Sequence, residues 1–552
     1  MGKRISVLVS IFLILTGILS ARLYYLQIVK GRDYSAFARG IHFQAKDSQP
    51  PRGDIYFQDQ AGEQRYLVAT NRTSYFVYAD PKEIEDAQDT LGQLSDILEI
   101  DSEEHGSILT RLNNKESSYA LIKRNIAEDG VSKINDLNLH GIYIQSELTR
   151  VYPAEETGAN VLGFLGFKED ARVGQYGIEE YYNDLLSGNK DYKLFFGQSA
   201  NAADLELTID YGVQFIVEKK LKELFENLDA DLASAVFMNP RTGEILAMAQ
   251  YPTFNPNSYQ DVKDINIFKN SLAQSVFELG SVFKPITVSA GIDAGVVTPQ
   301  TVYNDTGSVR IGGYTVSNFD GKARGLQTMT EVLEQSLNTG AIFVQQQLGK
   351  KKFRDYVEVF QLDKLTGVDI IGEVAGNIQN IKIANRDIEY ATASFGQGIS
   401  FSPLRFLTSI AAVANEGKIM RPFLVKKVIK NEEEIIIEPE VLAQPITALT
   451  ASRVTAMMVS VVDNSFDRKM AVPGYSMAGK TGTAQIPNKD SSGYSDQTIH
   501  SVVGFAPAYA PAFIGLIKVD NPHGIRFAAD SVTPTFRDIA SFILQYYKIP
   551  PQ

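Results

Sequence analysis

The chain has 552 residues, carries 53 Lys and Arg against 65 Asp and Glu for a formal net charge of −12, and contains five histidines and no cysteine. An acidic balance argues against nucleic acid as a partner, since phosphate binding needs excess positive charge, and zero cysteine excludes disulfides, thiolate nucleophiles and cysteine-ligated metal together. None of His42, His105, His140, His500 and His523 stands four residues from another, so no helix-borne His-x-x-x-His metal site exists and no metal or other cofactor is expected. The chemistry must run on hydroxyls, lysines and carboxylates.

At roughly 100 to 200 residues per domain the length predicts two to four units. In chain order, Ile5–Ala21 holds no charge and as a helix spans roughly 25 Å, slightly less than the hydrocarbon core of about 30 Å. Arg22 can snorkel, and Leu23, Tyr24, Tyr25 and Leu26 extend the segment with side chains suited to the interface. Lys3 and Arg4 before an apolar stretch also fit a signal peptide, but Leu19 before Ala21 and Ile18 before Ser20 give no small-x-small cleavage site, so an uncleaved anchor is expected. Charge does not set its orientation, because Lys3 and Arg4 on one side face Arg22, Lys30 and Arg32 on the other. No later run of 18 apolar residues follows, which places everything after about residue 30 on one side of the membrane.

From about Gln44 to Asn201 the text is mixed: Pro50-Pro51-Arg52-Gly53-Asp54 punctuates the start of a unit, Tyr75–Tyr78 reads as strand and Lys82–Leu98 as a charged helix. A second break falls at Ser199–Asp204. Beyond it, Ala235–Met238 and Glu244–Ala249 read as strands joined by a hairpin through Asn239–Gly243. Helical periodicity dominates from Ser271 to Glu416, strands return at Ser501–Phe505 and Ala512–Val519, and Thr535–Tyr547 forms a last helix with Phe536, Ala540, Ile543, Leu544 and Tyr547 on one face. Strands at both ends with helices between predict an α+β domain whose sheet is closed by its two termini.

Ser-x-x-Lys occurs at Ser187–Lys190, in a turn-like composition, and at Ser281–Lys284, before Pro285. Proline is tolerated only in the first turn of a helix, so a helix starts close to Ser281, whose hydroxyl and the Lys284 amine then share one face. Unpaired N–H groups and the dipole there favour a developing negative charge, and an amine kept neutral by desolvation or a second cation can serve serine as a base. The same residues also read as an N-cap serine followed by a surface lysine. Ser336-x-Asn338 offers a hydroxyl and an amide two apart, but by itself it reads more readily as a polar turn between helices; the pattern recurs at Ser187 and Ser199. Gly474–Thr481 matches the phosphate-binding string G-x-x-x-x-G-K-T, but Pro473, Gly482 and the alternation from Thr483 to Ile486 describe a strand rather than the required helix. On the strand reading, Lys480, Thr481 and Thr483 suit a carboxylate.

Ser281-x-x-Lys284, Ser336-x-Asn338 and Lys480-Thr481-Gly482 follow one another in the order of the serine-active penicillin-binding proteins and β-lactamases, which the chain resembles. Arg52-Gly53-Asp54-Ile55, Arg150-Val151-Tyr152-Pro153, Gly163-Phe164-Leu165-Gly166 and Gly177-Ile178-Glu179 look like pedestal signatures of class B penicillin-binding proteins. Thr208-Ile209-Asp210 with Gln214, Asn239-Pro240 through Met248-Ala249, and Phe395-Gly396-Gln397-Gly398 look like those of their transpeptidase domain, and Arg22 with Leu26-Gln27 after the anchor also match. The resemblance implies an antiparallel sheet with helices on both faces, carried on an elongated mixed α/β pedestal. The implied division is a cytoplasmic tail at 1–4, a single transmembrane anchor at 5–25, a pedestal or dimerisation-type domain at 26–203 and a transpeptidase domain at 204–552, with the ectodomain outside the bacterial cell membrane.

It also implies a serine-type D-Ala-D-Ala transpeptidase that cross-links peptidoglycan stem peptides and is acylated by β-lactams. Ser281 would be the nucleophile, Lys284 its base, and Ser336 and Asn338 would relay protons and position substrate. Lys480, Thr481, Gly482 and Thr483 would form the substrate-binding strand, with the Ser281 and Thr483 N–H groups as oxyanion hole. Asn338 and Thr481 look more like the cell-division branch than the elongation branch. No glycosyltransferase signature precedes the pedestal, so a SEDS-type polymerase and other divisome membrane proteins are the implied partners. Leu279 departs from the usual proline before Gly280-Ser281. The competing readings are an elongation-type enzyme, a hydrolytic β-lactamase, for which no dedicated deacylating carboxylate motif is found, and a non-catalytic β-lactam sensor or divisome scaffold.

Overall fold

The computed structural model describes residues 51–59, 64–168, 171–188, 202–383, 386–431, 433–465, 468–488 and 493–551, with seven positions between 13 and 22. The apolar stretch Ile5–Ala21 therefore falls mostly outside the described residues, and among those described no helix is long and apolar enough to cross a membrane. The chain divides into two compact units, one containing 72–149 and the other 53–71 with 150–552.

In the first, the second half of the strand Arg65–Ala79 pairs antiparallel with Ala120–Ile126, and helices Ala87–Leu98, Ser102–Leu112 and Glu128–Asp136 cover a core of Leu91, Leu94, Ile108, Ile122 and Ile134. The first helix is shorter than the predicted 82–98. The Asp86 carboxylate accepts the Gln88 and Asp89 N–H groups, fixing the start at Ala87.

The second unit carries the elements that build the site. They are α1 (Tyr211–Leu228), β1 (Leu232–Met238), β2 (Ile245–Tyr251), α2 (Lys284–Asp293), α3 (Asn338–Val359, interrupted at Gly349), β3 (Ala478–Pro487), β4 (Tyr494–Ala506), β5 (Phe513–Asp520) and α4 (Ala528–Tyr546). The strands form one antiparallel sheet in the order β3-β4-β5-β1-β2, so strands from the end of the chain meet the first hairpin at β5–β1, with Ile514 opposite Met238. Side chains alternate across a strand. Ala235 and Phe237 join Val213, Val217 and Leu221 of α1 and Phe536, Ile539 and Ile543 of α4 on one face, while Val236 and Met238 join Val282, Phe283 and Ile286 on the other. Both faces are covered, so β1 is apolar at nearly every position, and each large side chain buried this way stabilises the fold by about 1.5–3 kcal/mol.

Two expectations are corrected. The stretch 271–416 is not helical throughout: Val302–Asp305 pairs with Gly325–Thr328, and Ser308–Ile311 with Tyr314–Ser317. The second hairpin turns on Gly312 and Gly313, both with positive φ, the backbone that a tight two-residue turn demands. The last helix starts at Ala528, not Thr535, with Pro534 inside it. That proline removes one helical N–H, but Ala528, Ser531, Val532 and Phe536 are buried on either side and packing carries the helix through.

The pedestal signatures between 150 and 179 converge on one buried ion pair. Arg150 Nε lies 2.8 Å from Glu179 Oε1, the Tyr152 hydroxyl donates to the same oxygen at 3.2 Å, and it accepts from the Leu165 N–H at 2.8 Å.

Candidate active site

Ser281 sits in a single 3-10 turn, Gly280–Phe283, that runs into α2 at Lys284, with Pro285 in the first turn. The loop before it is stitched to a neighbouring segment: Phe277 and Phe401 exchange backbone hydrogen bonds, and the Gly280 N–H donates to Gly396 O at 3.1 Å. Gly280 has φ 59°, and a Cβ there would lie 3.1 Å from Ala484 Cβ and 3.3 Å from Thr483 O. Glycine thus lets the turn bearing Ser281 lie directly against the edge strand β3.

Lys284 is fully buried, and its Nζ meets Ser281 Oγ at 2.9 Å, Ser336 O at 2.6 Å and Ser336 Oγ at 3.2 Å. Three acceptors match the three donors of an ammonium. In the neutral amine one contact must reverse, and only the hydroxyls of Ser281 and Ser336 can donate. Burial, and then the charge of Lys480, push the Lys284 pKa well below its ordinary value. Lys480 reaches the cluster from β3: its Nζ donates to Ser336 Oγ at 3.0 Å and to Thr481 O at 3.1 Å. Burial lowers its pKa to about 7.

Ser336 has φ 55°, an uncommon backbone for a residue with a side chain, and its hydroxyl stands between the two lysines. The chain of contacts Ser281–Lys284–Ser336–Lys480 can pass a proton between a hydroxyl nucleophile and a leaving group without water.

The remaining predicted residues surround this cluster. Gly482 packs against the Ser281 turn, where a Cβ would lie 2.9 Å from Leu279 O. Thr483 is exposed, its hydroxyl accepting the Ala528 N–H at 3.1 Å, and Thr481 is buried. Asn338 opens α3, and its Nδ2 donates to Ser317 O at 2.9 Å. Of the other Ser-x-x-Lys, Ser187 ends a short helix before Gly188 in left-handed conformation, and Lys190 lies outside the described residues.

Three neighbours of the site belong to no motif of the sequence. Asp305 and Asn318 hold the start of α3, with Asn318 Oδ1 accepting the Asn338 N–H at 2.9 Å. Glu278 accepts from the Tyr494 hydroxyl at 2.9 Å, and burial raises its pKa. Only spatial proximity marks Asp305 and Asn318, since Asp and Asn in a Gly-rich stretch read as ordinary turn residues.

Residues 233–541 match the family model of the penicillin-binding protein transpeptidase domain, and residues 47–206 that of the penicillin-binding protein dimerisation domain. The chain is similar to stage V sporulation protein D of Bacillus subtilis, 30% identical over 97% of this chain and 84% of that protein. It is similar also to the peptidoglycan D,D-transpeptidase FtsI of Escherichia coli K12, 30% identical over 86% of this chain and 81% of the relative. Among solved structures, penicillin-binding protein 3 of Mycobacterium tuberculosis complexed with aztreonam superposes with a TM-score of 0.66 at 29% identity, covering 74% of this chain and 92% of that one.

Proposed function

The chain belongs to the class B penicillin-binding proteins, the peptidoglycan D,D-transpeptidases, and from that premise we propose that Ser281 is its nucleophile and Lys284 its general base. The observation that carries the assignment is the fully buried Lys284 amine, 2.9 Å from Ser281 Oγ and depressed in pKa. Neutral Lys284 takes the Ser281 proton as Oγ attacks the carbonyl of the penultimate D-alanine of a stem peptide. The oxyanion is held by the Ser281 and Thr483 N–H groups, each donor contributing about 3 to 4 kcal/mol. Collapse of the tetrahedral intermediate breaks the peptide bond, and the proton passes from Lys284 through Ser336 to the departing amine of D-alanine. An amine of a neighbouring stem then attacks the acyl-enzyme, loses its proton back along the same chain and leaves a cross-link. Lys480, Thr481 and Thr483 hold the terminal carboxylate on β3, and Asn338 offers its amide N–H to the acyl-side amide of the donor. β-Lactams enter the same path and stop at the acyl-enzyme.

Labelled penicillin should acylate the wild-type chain and leave Ser281→Ala unlabelled; persistent labelling of that variant overturns the assignment. We further propose that Ile5–Ala21 anchors the chain once in the cell membrane with the ectodomain outside, that residues 26–203 serve as pedestal to a catalytic domain at 204–552, and that a SEDS-type polymerase supplies the glycan. Asn338 and Thr481 support service at the division septum. A fluorescent fusion confined to the lateral wall of dividing cells would contradict that role.

A further inference from the structure

Next to the site lies a second buried polar cluster that the reaction above does not use. Asp305, Asn318 and Thr339 are 1%, 3% and 3% exposed. One carboxylate oxygen of Asp305 accepts from the Thr339 hydroxyl at 2.6 Å, the Asn318 amide at 2.9 Å and the Gly307 N–H at 3.2 Å. The other accepts from the Arg324 N–H at 3.0 Å and the Asn318 amide at 3.1 Å. Burial would raise this carboxyl's pKa, but the hydrogen bonds from Thr339, Asn318, Gly307 and Arg324 outweigh it and hold it below the usual range.

With its NH2 group committed to Asp305, Asn318 must turn its oxygen the other way. Oδ1 accepts from the N–H groups of Asn338 at 2.9 Å and Thr339 at 3.3 Å, two of the donors that a helix start leaves unpaired. The adjacent carbonyl, Ser317 O, takes one N–H of the Asn338 side chain. A carbonyl can only accept, so this contact fixes which end of the Asn338 amide is nitrogen and leaves its second N–H to a ligand. Asp305 therefore dictates the orientation of Asn318, and Asn318 together with Ser317 sets the backbone and the amide of Asn338.

We propose that Asp305 and Asn318 are positioning residues for acyl transfer, aiming the Asn338 amide at the acylamino carbonyl of the donor strand. The proposal rests on the reading of Asn338 given above. Neither residue touches a reacting atom; their effect passes through Asn338 and is specific to donors that carry the acylamino group.

The test uses the full chain and two acylating probes: benzylpenicillin, which has an acylamino side chain, and a penicillanic acid sulfone, which lacks one. Asp305→Asn places an NH2 group where only donors converge. Loss of one well-aimed hydrogen bond corresponds to roughly tenfold, so benzylpenicillin acylation should slow by about that factor or more, while acylation by the sulfone changes less than about threefold. Equal slowing of both probes by Asp305→Asn overturns the proposal. Asn338→Ala is the control: if it slows both probes equally, the reading of Asn338 fails and the proposal with it, whereas a selective Asn338→Ala beside an unselective Asp305→Asn sinks the proposal alone. Should Asp305→Asn not fold, Asn318→Ala is read for the same ratio, with the same two outcomes.

Discussion

The helices α2 and α4 flank the five-stranded sheet on opposite faces and bury themselves differently. In α4 the buried positions Val532, Phe536, Ile539, Ala540, Ile543 and Leu544 fall on one stripe, and Arg537 and Asp538 reach solvent. In α2 every residue from Lys284 to Ile292 is buried. A charged side chain on α4 can turn to water, whereas Lys284 on α2 has no such exit and must lose its proton or find acceptors. The difference teaches how burial is divided: one helix holds the sheet, and the other desolvates an amine.

The strongest way to break that contrast is Lys284→Met. Loss of a general base should slow acylation by about 10²- to 10⁴-fold. The melting temperature should not fall, because an apolar side chain of similar length removes a buried amine; concurrent unfolding would show that Lys284 is structural. The counterpart on the other helix is Phe536→Ala, which should cost about 3–5 kcal/mol in denaturant unfolding and leave the acylation rate of the folded fraction unchanged.

The pH profile sharpens the contrast further. A base at Lys284, as proposed, works only when neutral, so below its lowered pKa the acylation rate should fall by about tenfold per pH unit. Lys480, lowered to about 7, loses its charge above that pH and with it the attraction for a carboxylate, which gives a falling alkaline limb. Both lysines share Ser336, so the two apparent values belong to the pair. Replacing His500, whose pKa is lowered to about 4 by burial on the α4 face, with Gln should leave both limbs in place. The smallest effect expected is for Gly280→Ala: the positive φ and the contact with β3 predict a loss of about 1 kcal/mol, read as a small shift in melting temperature with a modest slowing of acylation.

Legibility in the sequence followed the same division. The stripe of α4 shows as a 3.6-residue period, and only its start was displaced, because Pro534 reads as a helix break whereas packing tolerates it. The Asn239–Gly243 hairpin and the β4 and β5 strands were legible from turn chemistry and apolar runs. Helix α2 has no polar face, hence no period, and was placed by Pro285 alone. The Gly312-Gly313 hairpin was hidden inside a stretch of helical text. Asp305 and Asn318 carry no motif: thirteen residues apart, their role exists only because a fold brings both to the start of α3.

By itself the sequence determined the order of Ser281–Lys284, Ser336–Asn338 and Lys480–Thr483, an α+β domain with strands at both ends, and a chemistry left to hydroxyls, lysines and carboxylates in a chain without cysteine. Tertiary structure alone decided that Lys284 and Lys480 meet at one hydroxyl, across separations of 52 and 144 residues from Ser336. It also decided that both amines lose their water, since desolvation comes from residues distant in the chain that close over them, and no local pattern of residues encodes that closure.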